Sequence, residues 1–166
     1  MDHGPTEGER MTPRLFKMLL NCYPPYLGAG IRVRHVSHDF RDLRVQMKLR
    51  FYNRNYVGTH FGGSLYAMID PFYMLMLMQV LGRGYIVWDK TATIEFRKPG
   101  RGKVSARFHL TDQMLTDIHA HTAHGDKYLP EFRVDITDND GDLVARGFKT
   151  LYIRRKHATN DAVSCA

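Results

Sequence analysis

The spacing of hydrophobic and polar residues changes several times along the chain. Ile31, Val33 and His35 alternate with Arg32 and Arg34. Leu43, Val45, Met47, Leu49 and Phe51 alternate with Arg44, Gln46, Lys48 and Arg50. A strict period of two predicts strands with one buried and one solvated face. From Ser64 to Leu81 the alternation stops, and only Ser64, Asp70 and Gln79 interrupt a run that is apolar nearly all round. Its leucines and methionines favour helix, and Gly82 and Gly84 stop it. A helix apolar on every side lies in a core or spans a membrane. A central aspartate costs about 2.5–3.5 kcal/mol on insertion into a bilayer, and Pro71 adds a break. The run therefore predicts a buried core helix, kinked at Asp70–Pro71.

Alternation returns beyond it. Ile86 to Phe96 carries Ala92, Ile94 and Phe96 at period two. The turn Pro99-Gly100-Arg101-Gly102 leads to Val104, Ala106, Phe108 and Leu110. Thr111 or Asp112 caps a short helix to His124, stopped by Gly125. Phe132, Val134 and Ile136 alternate with Arg133, Asp135 and Thr137. After the turn at Asp138-Asn139-Asp140-Gly141, Leu143 to Ile153 is apolar on both faces, as in a strand covered on two sides. At the other end, Thr12 or Pro13 opens a short helix with Leu15, Phe16, Met18 and Leu19, and Asn21 to Gly30 reads as turn. This order gives an α+β class: a curved antiparallel sheet wrapped around one long central helix. It occupies residues 12–155, between flexible tails at 1–11 and 156–166. Free sheet edges predict pairing into a homodimer or homotetramer.

Composition narrows the function classes. The 166 residues are 43% hydrophobic and 25% charged, with a net charge of +7, an ordinary soluble composition. The positive excess raises nucleic acid, membrane surfaces and phosphorylated ligands as partners. The cations form no long run and no recognition motif accompanies them, so neither nucleic acid nor membrane is expected. Cys22 and Cys165 lack metal-ligand spacing and form no disulfide framework. With a polar, acidic start that is no signal peptide, they fit a cytoplasmic protein. His119, His121 and His124 lack a carboxylate to complete a metal set. A calcium loop around Gly141 would need ligands at Ile136 and Gly147, so that segment is a turn.

The segment Gly58-Thr59-His60-Phe61-Gly62-Gly63, followed by Ser64-Leu65-Tyr66-Ala67-Met68-Ile69-Asp70, resembles the helix-opening segment of hotdog-fold acyl-CoA thioesterases, above all the phenylacetate-pathway type and its relatives. Trp88 to Lys103, with the Arg97-Lys98-Pro99-Gly100 turn, is also hotdog-like. The resemblance covers roughly residues 12–155 in element order.

It implies a hotdog fold and hydrolysis of an acyl-CoA-like thioester at a site formed between two subunits. A carboxylate on the central helix acts as base or nucleophile, and Asp70 stands where it is expected, seven residues after Gly63. Gly62 and Gly63 map to the helix-N-terminal amides that hold the thioester oxygen, and Asn55 to the residue that places water or substrate, with Asn53 as its alternative. Physical chemistry gives the same reading for the helix: its first N–H groups are unpaired and its dipole is positive there, which stabilises a developing oxyanion. His60, Phe61, Ser64, Tyr66 and Tyr73 are candidates for the substrate pocket, and Arg97 and Lys98 for the phosphates of coenzyme A. No metal or redox cofactor is implied; coenzyme A enters only as part of the substrate. The family histidine directly precedes the two glycines, whereas Phe61 holds that place here and His60 is one residue out. That shift leaves a non-catalytic acyl- or acyl-CoA-binding protein as the alternative.

Overall fold

The computed structural model describes residues 11–156. The expected tails at 1–11 and 156–166 lie outside the described residues except for Met11 and Lys156, as does Cys165. Helix α1 (Pro13–Cys22) is capped by Thr12, whose side chain accepts from the Leu15 N–H. The stretch expected to be turn holds a second short helix, α2 (Pro24–Ala29), because Pro24 and Pro25 preset helical φ at its first positions and Gly30 closes it in the left-handed region. Strands β1 (Ile31–Val36) and β2 (Asp42–Lys48) follow. β2 ends three residues before Phe51, which is 84% exposed, so the alternation outruns the strand. A bulge between Val33 and His35 turns His35 outward.

The central helix comes in two pieces, α3 (Gly62–Ala67) and α4 (Phe72–Leu81), separated at Met68–Pro71. The predicted kink is therefore a full break. Then come β3 (Tyr85–Phe96), β4 (Lys103–His109), α5 (Asp112–Thr122), the unforeseen two-residue β5 (Lys127–Tyr128), β6 (Glu131–Thr137) and β7 (Leu143–Arg155). All seven strands form one antiparallel sheet in the order β1-β2-β4-β6-β7-β3, with β5 beside β7. This is the hotdog arrangement of a curved sheet around a core helix.

Alternation decides what faces the helix. Leu43, Val45 and Met47 of β2, Val104 and Phe108 of β4, Phe132, Val134 and Ile136 of β6, and Leu151 and Ile153 of β7 are all buried. They meet Met68, Ile69, Phe72, Met76 and Leu77 of the helix, none of which reaches solvent. Phe72 packs on Phe108 at 5.0 Å between ring centroids and on Tyr26 at 5.4 Å. By length and composition Gly62–Leu81 is apolar enough to cross a bilayer; burying these residues against the sheet makes it the core helix.

The break lies across β7. Gly147 has no room for a Cβ because Ile69 occupies that space, and Lys149, one inward position further along β7, meets Asp70. Gly147→Ala is expected to destabilise the fold by about 1–3 kcal/mol, the usual cost of overpacking. Ile69→Val in the same chain should recover part of the loss. Urea unfolding of the two single variants and the double variant measures both.

Candidate functional site

Lys149 sits on the helix-facing side of β7 and is 1% exposed. An ammonium cannot be held there without anionic partners. Two carboxylates supply them: Asp70, from the helix break, hydrogen-bonds its Nζ, and Asp89 of β3 lies 2.9 Å away as an ion pair outside hydrogen-bond alignment. Burial presses the Lys149 pKa down, but the two carboxylates outweigh it and hold the group above its ordinary value. Burial raises Asp89, Lys149 pulls it back and the Asp70 charge pushes it further up. The Asp70 side chain is 39% exposed, so one side of its carboxylate is tied to Lys149 and part of the group reaches solvent. The hydroxyl of Tyr26 donates to the Asp70 carbonyl at 2.6 Å and fixes the break; burial and then Asp70 push that phenol up, so it stays protonated.

Neither Asp89 nor Lys149 was among the expected site residues. Asp89 faces inward because β3 bulges at Lys90. Asp89 pairs with Leu151 and Thr91 with Thr150, so the inward set passes from Val87 and Asp89 to Ala92 and Ile94.

A cleft of about 490 Å³ opens at the start of α3, lined by Asn55, His60, Gly62, Phe96, Arg97 and Lys98 among others. The N–H groups of Gly62 and Gly63 have no acceptor among the described residues. The rings of Phe96 and Phe61 lie against Gly62 and Gly63 respectively, closely enough that a Cβ on Gly63 would collide with Phe61. Gly62, Asn55, His60, Arg97 and Lys98 thus come together. Asp70 does not line this cleft.

Several expected roles change on this geometry. Asn55 borders the cleft, but its amide is taken up by its own loop: Oδ1 accepts from Val57 and Thr59, and Nδ2 donates to the Thr59 hydroxyl at 2.9 Å. It shapes the loop rather than reaching outward. Asn53 is buried and does the same, accepting from Arg50 and donating to Ala29 and Lys48. His60 is 3% exposed and its Nε2 donates to the Gly102 carbonyl at 3.1 Å. Its Nδ1 is buried without a partner, and burial holds the ring below its ordinary pKa, as the neutral imidazole. Ser64 is buried and packs inward. Tyr73 is a core residue, with its ring 4.8 Å from that of Phe132 and its hydroxyl on the Arg133 carbonyl, and it does not line this cleft. Tyr66 is 37% exposed, away from the cleft.

Lys98 is neutralised by Asp138 at 2.6 Å and Asp142 at 2.7 Å, and Arg97 by Glu95. The acidic turn is the counter-charge of the basic one, which removes Lys98 as a free phosphate ligand. His119 and His121 are engaged separately, with Tyr85 and with the Asp117 carbonyl.

The family model described as a domain of unknown function, DUF4442, matches residues 12–153. No curated protein matches. A Pseudomonas aeruginosa protein of unknown function, titled a probable thioesterase, superposes with a TM-score of 0.76 at 17% identity, over 89% of this chain and 98% of that one. A Haemophilus influenzae thioesterase gives 0.64 at 17% identity, over 90% and 96%. Thioesterase superfamily member 2 from Mus musculus gives 0.61 at 17%, over 84% and 96%. At these identities the likeness is one of fold.

Two outcomes are expected. Lys149→Met leaves two adjacent carboxylates without their cation and should cost about 3 kcal/mol; adding Asp89→Asn should recover part of it, read by urea unfolding. For His60 the sign is set by its lowered pKa. Below pH 6.5 the unfolded chain binds a proton that the folded chain resists, so stability falls as pH drops below that value. Thermal melts between pH 5 and 8 should show a shallower acid loss in His60→Gln than in the parent.

Proposed function

Because this chain belongs to the DUF4442 family and takes the fold of the hotdog thioesterases, we propose that it hydrolyses acyl thioesters of the acyl-CoA type. The observation that carries this reading is Asp70: a partly exposed carboxylate at a break in the core helix, seven residues after Gly63, on a helix whose first amides have no acceptor among the described residues.

In this reading the thioester oxygen accepts from Gly62 and Gly63. Asp70 either takes a proton from the attacking water or itself attacks the carbonyl carbon. When water attacks, the C–S bond breaks, the thiolate takes the proton that Asp70 accepted, and the acid is released. When Asp70 attacks, the C–S bond breaks to leave a mixed anhydride on Asp70 and a thiolate. A water then hydrolyses the anhydride, freeing the acid and Asp70 and giving its proton to the thiolate. Lys149 aims Asp70 by hydrogen-bonding one of its oxygens. Asn55 acts through the loop that shapes the cleft. The acyl-CoA is substrate, and no step calls for a metal.

Asp70 and the Gly62 cleft are apart within one chain, so we assign the complete site to a seam between two copies. The outer edge of β3, which has no partner strand among the described residues, supports that assignment. So do exposed Trp88 and Phe96 on the same strand, Phe61 beside the cleft, and Met78 on α4. One observation favours the second reading, a protein that binds acyl thioesters without turnover: His60 is turned into the fold and bonded to Gly102.

Asp70→Asn keeps a hydrogen-bond acceptor for Lys149 and leaves Asp89 in place. It should fold, and it should lower the hydrolysis of a panel of acyl-CoA thioesters at least 100-fold, within the range that a general base contributes. Unchanged turnover removes Asp70 from the reaction. Tight binding by the parent with no turnover at any chain length selects the second reading. Gly62→Val should also be inactive, and refolding it together with Asp70→Asn should restore activity, because mixed dimers rebuild one intact seam site.

A further inference from the structure

The cations on the outward face of the sheet fall into two groups. On the middle strands four of them meet carboxylates: Arg44 and Arg107 meet Asp42, and Arg133 and Arg146 meet Asp135. At the end formed by β1, β2 and β4 this matching stops. Arg32, Arg34, Lys48, Arg50 and Lys103 line a single groove of about 210 Å³ with Gly30, Gln46 and Tyr52. No acidic side chain lines it, and none of the five cations pairs with a carboxylate among the described residues. Arg32 donates to the Asn21 carbonyl at 3.0 Å and Arg34 to the Gln46 side chain at 3.2 Å. Lys48 and Lys103 stand directly opposite each other on neighbouring strands.

Like charges directly opposite in a sheet are destabilising. Five gathered in one concavity, without the counter-charges found elsewhere on the face, are held there at a cost to the free protein. A multivalent anion reverses that sign. Guanidinium groups grip phosphate oxygens in pairs and lysines add point charges, while the Gln46 amide and Tyr52 hydroxyl supply neutral hydrogen bonds. A hollow of this size admits a pyrophosphate-sized group and is too small for a duplex or a membrane surface.

We propose that this groove binds a ligand carrying two or more phosphate groups, of the class of pyrophosphate and the nucleoside bisphosphates. The ligand is either a free molecule or the phosphorylated end of the coenzyme A thioester; the second source alone rests on the thioesterase reading above.

The test is calorimetric titration of the full chain with pyrophosphate at low salt, run in parallel with coenzyme A, an oligonucleotide and anionic vesicles. The parent should bind pyrophosphate, and the ligand should raise its melting temperature. Lys48→Ala/Lys103→Ala should weaken binding at least tenfold while the ligand-free variant melts no lower than the parent, because a repulsion has been removed. Arg32→Gln/Arg50→Gln is the independent second pair. If both pairs also weaken coenzyme A binding tenfold, the groove holds the carrier's phosphates; if coenzyme A binding is unchanged, the ligand is a separate molecule. Absence of pyrophosphate binding, or equal binding by the parent and both pairs, overturns the proposal. So does an oligonucleotide or vesicle that outcompetes pyrophosphate. None of these readouts requires that the protein turn over a thioester.

Discussion

The fold turns on an ammonium group that cannot stand alone. Lys149 is fully enclosed between the core helix and β7, where an unpaired charge costs several kcal/mol. Its two partners come from segments distant in the chain, Asp70 at the helix break and Asp89 on the edge strand. The cluster therefore ties three elements to one point. It also sits at the place where the core helix is interrupted, between Ala67 and Phe72. The Asp70 carboxylate is in consequence both a structural tie and a group partly open to solvent.

The same accounting of charge sorts the rest of the surface. Lys98, which in the sequence looks like a phosphate ligand, is balanced by Asp138 and Asp142. Arg44 and Arg107 are balanced by Asp42. Beside Lys48 and Lys103 five cations without a carboxylate partner among the described residues share one groove. A net charge of +7 is thus mostly uninformative as a total and informative once each cation is matched with its neighbour.

The sheet and the core helix were legible because periods of two and an apolar run are direct consequences of burial, as at Leu43, Val45 and Met47. The family likeness likewise pointed to Asp70 and to Gly62–Gly63. The rest was hidden for specific reasons. Reading back from Ala92, Ile94 and Phe96 at strict period two puts Trp88 inside and Asp89 outside; the bulge at Lys90 reverses that, and nothing local in the sequence marks it. A single lysine in a strand reads as solvent-facing, so Lys149 gave no signal without Asp70 and Asp89 beside it. Asn55 and His60 were visible as polar residues near a helix start, but which way their hydrogen bonds run depends on a loop closed by Thr59, Gly100 and Gly102.

The strand order has a consequence for synthesis. Among the described residues β3 pairs only with β7, and β6 also needs β7 for most of its partners. The last strand made is therefore the one that joins the two halves of the sheet and delivers the cation to Asp70. Until about residue 155 has left the ribosome, the most apolar segment of the protein has no completed wall to lie against and two nearby carboxylates have no counter-ion. Contacts this distant in sequence form slowly, and exposed apolar segments invite association in the meantime. A chain broken off before Leu143 is then not a smaller version of this domain but a nascent one, holding an unhoused helix that the cell's chaperones are built to shelter.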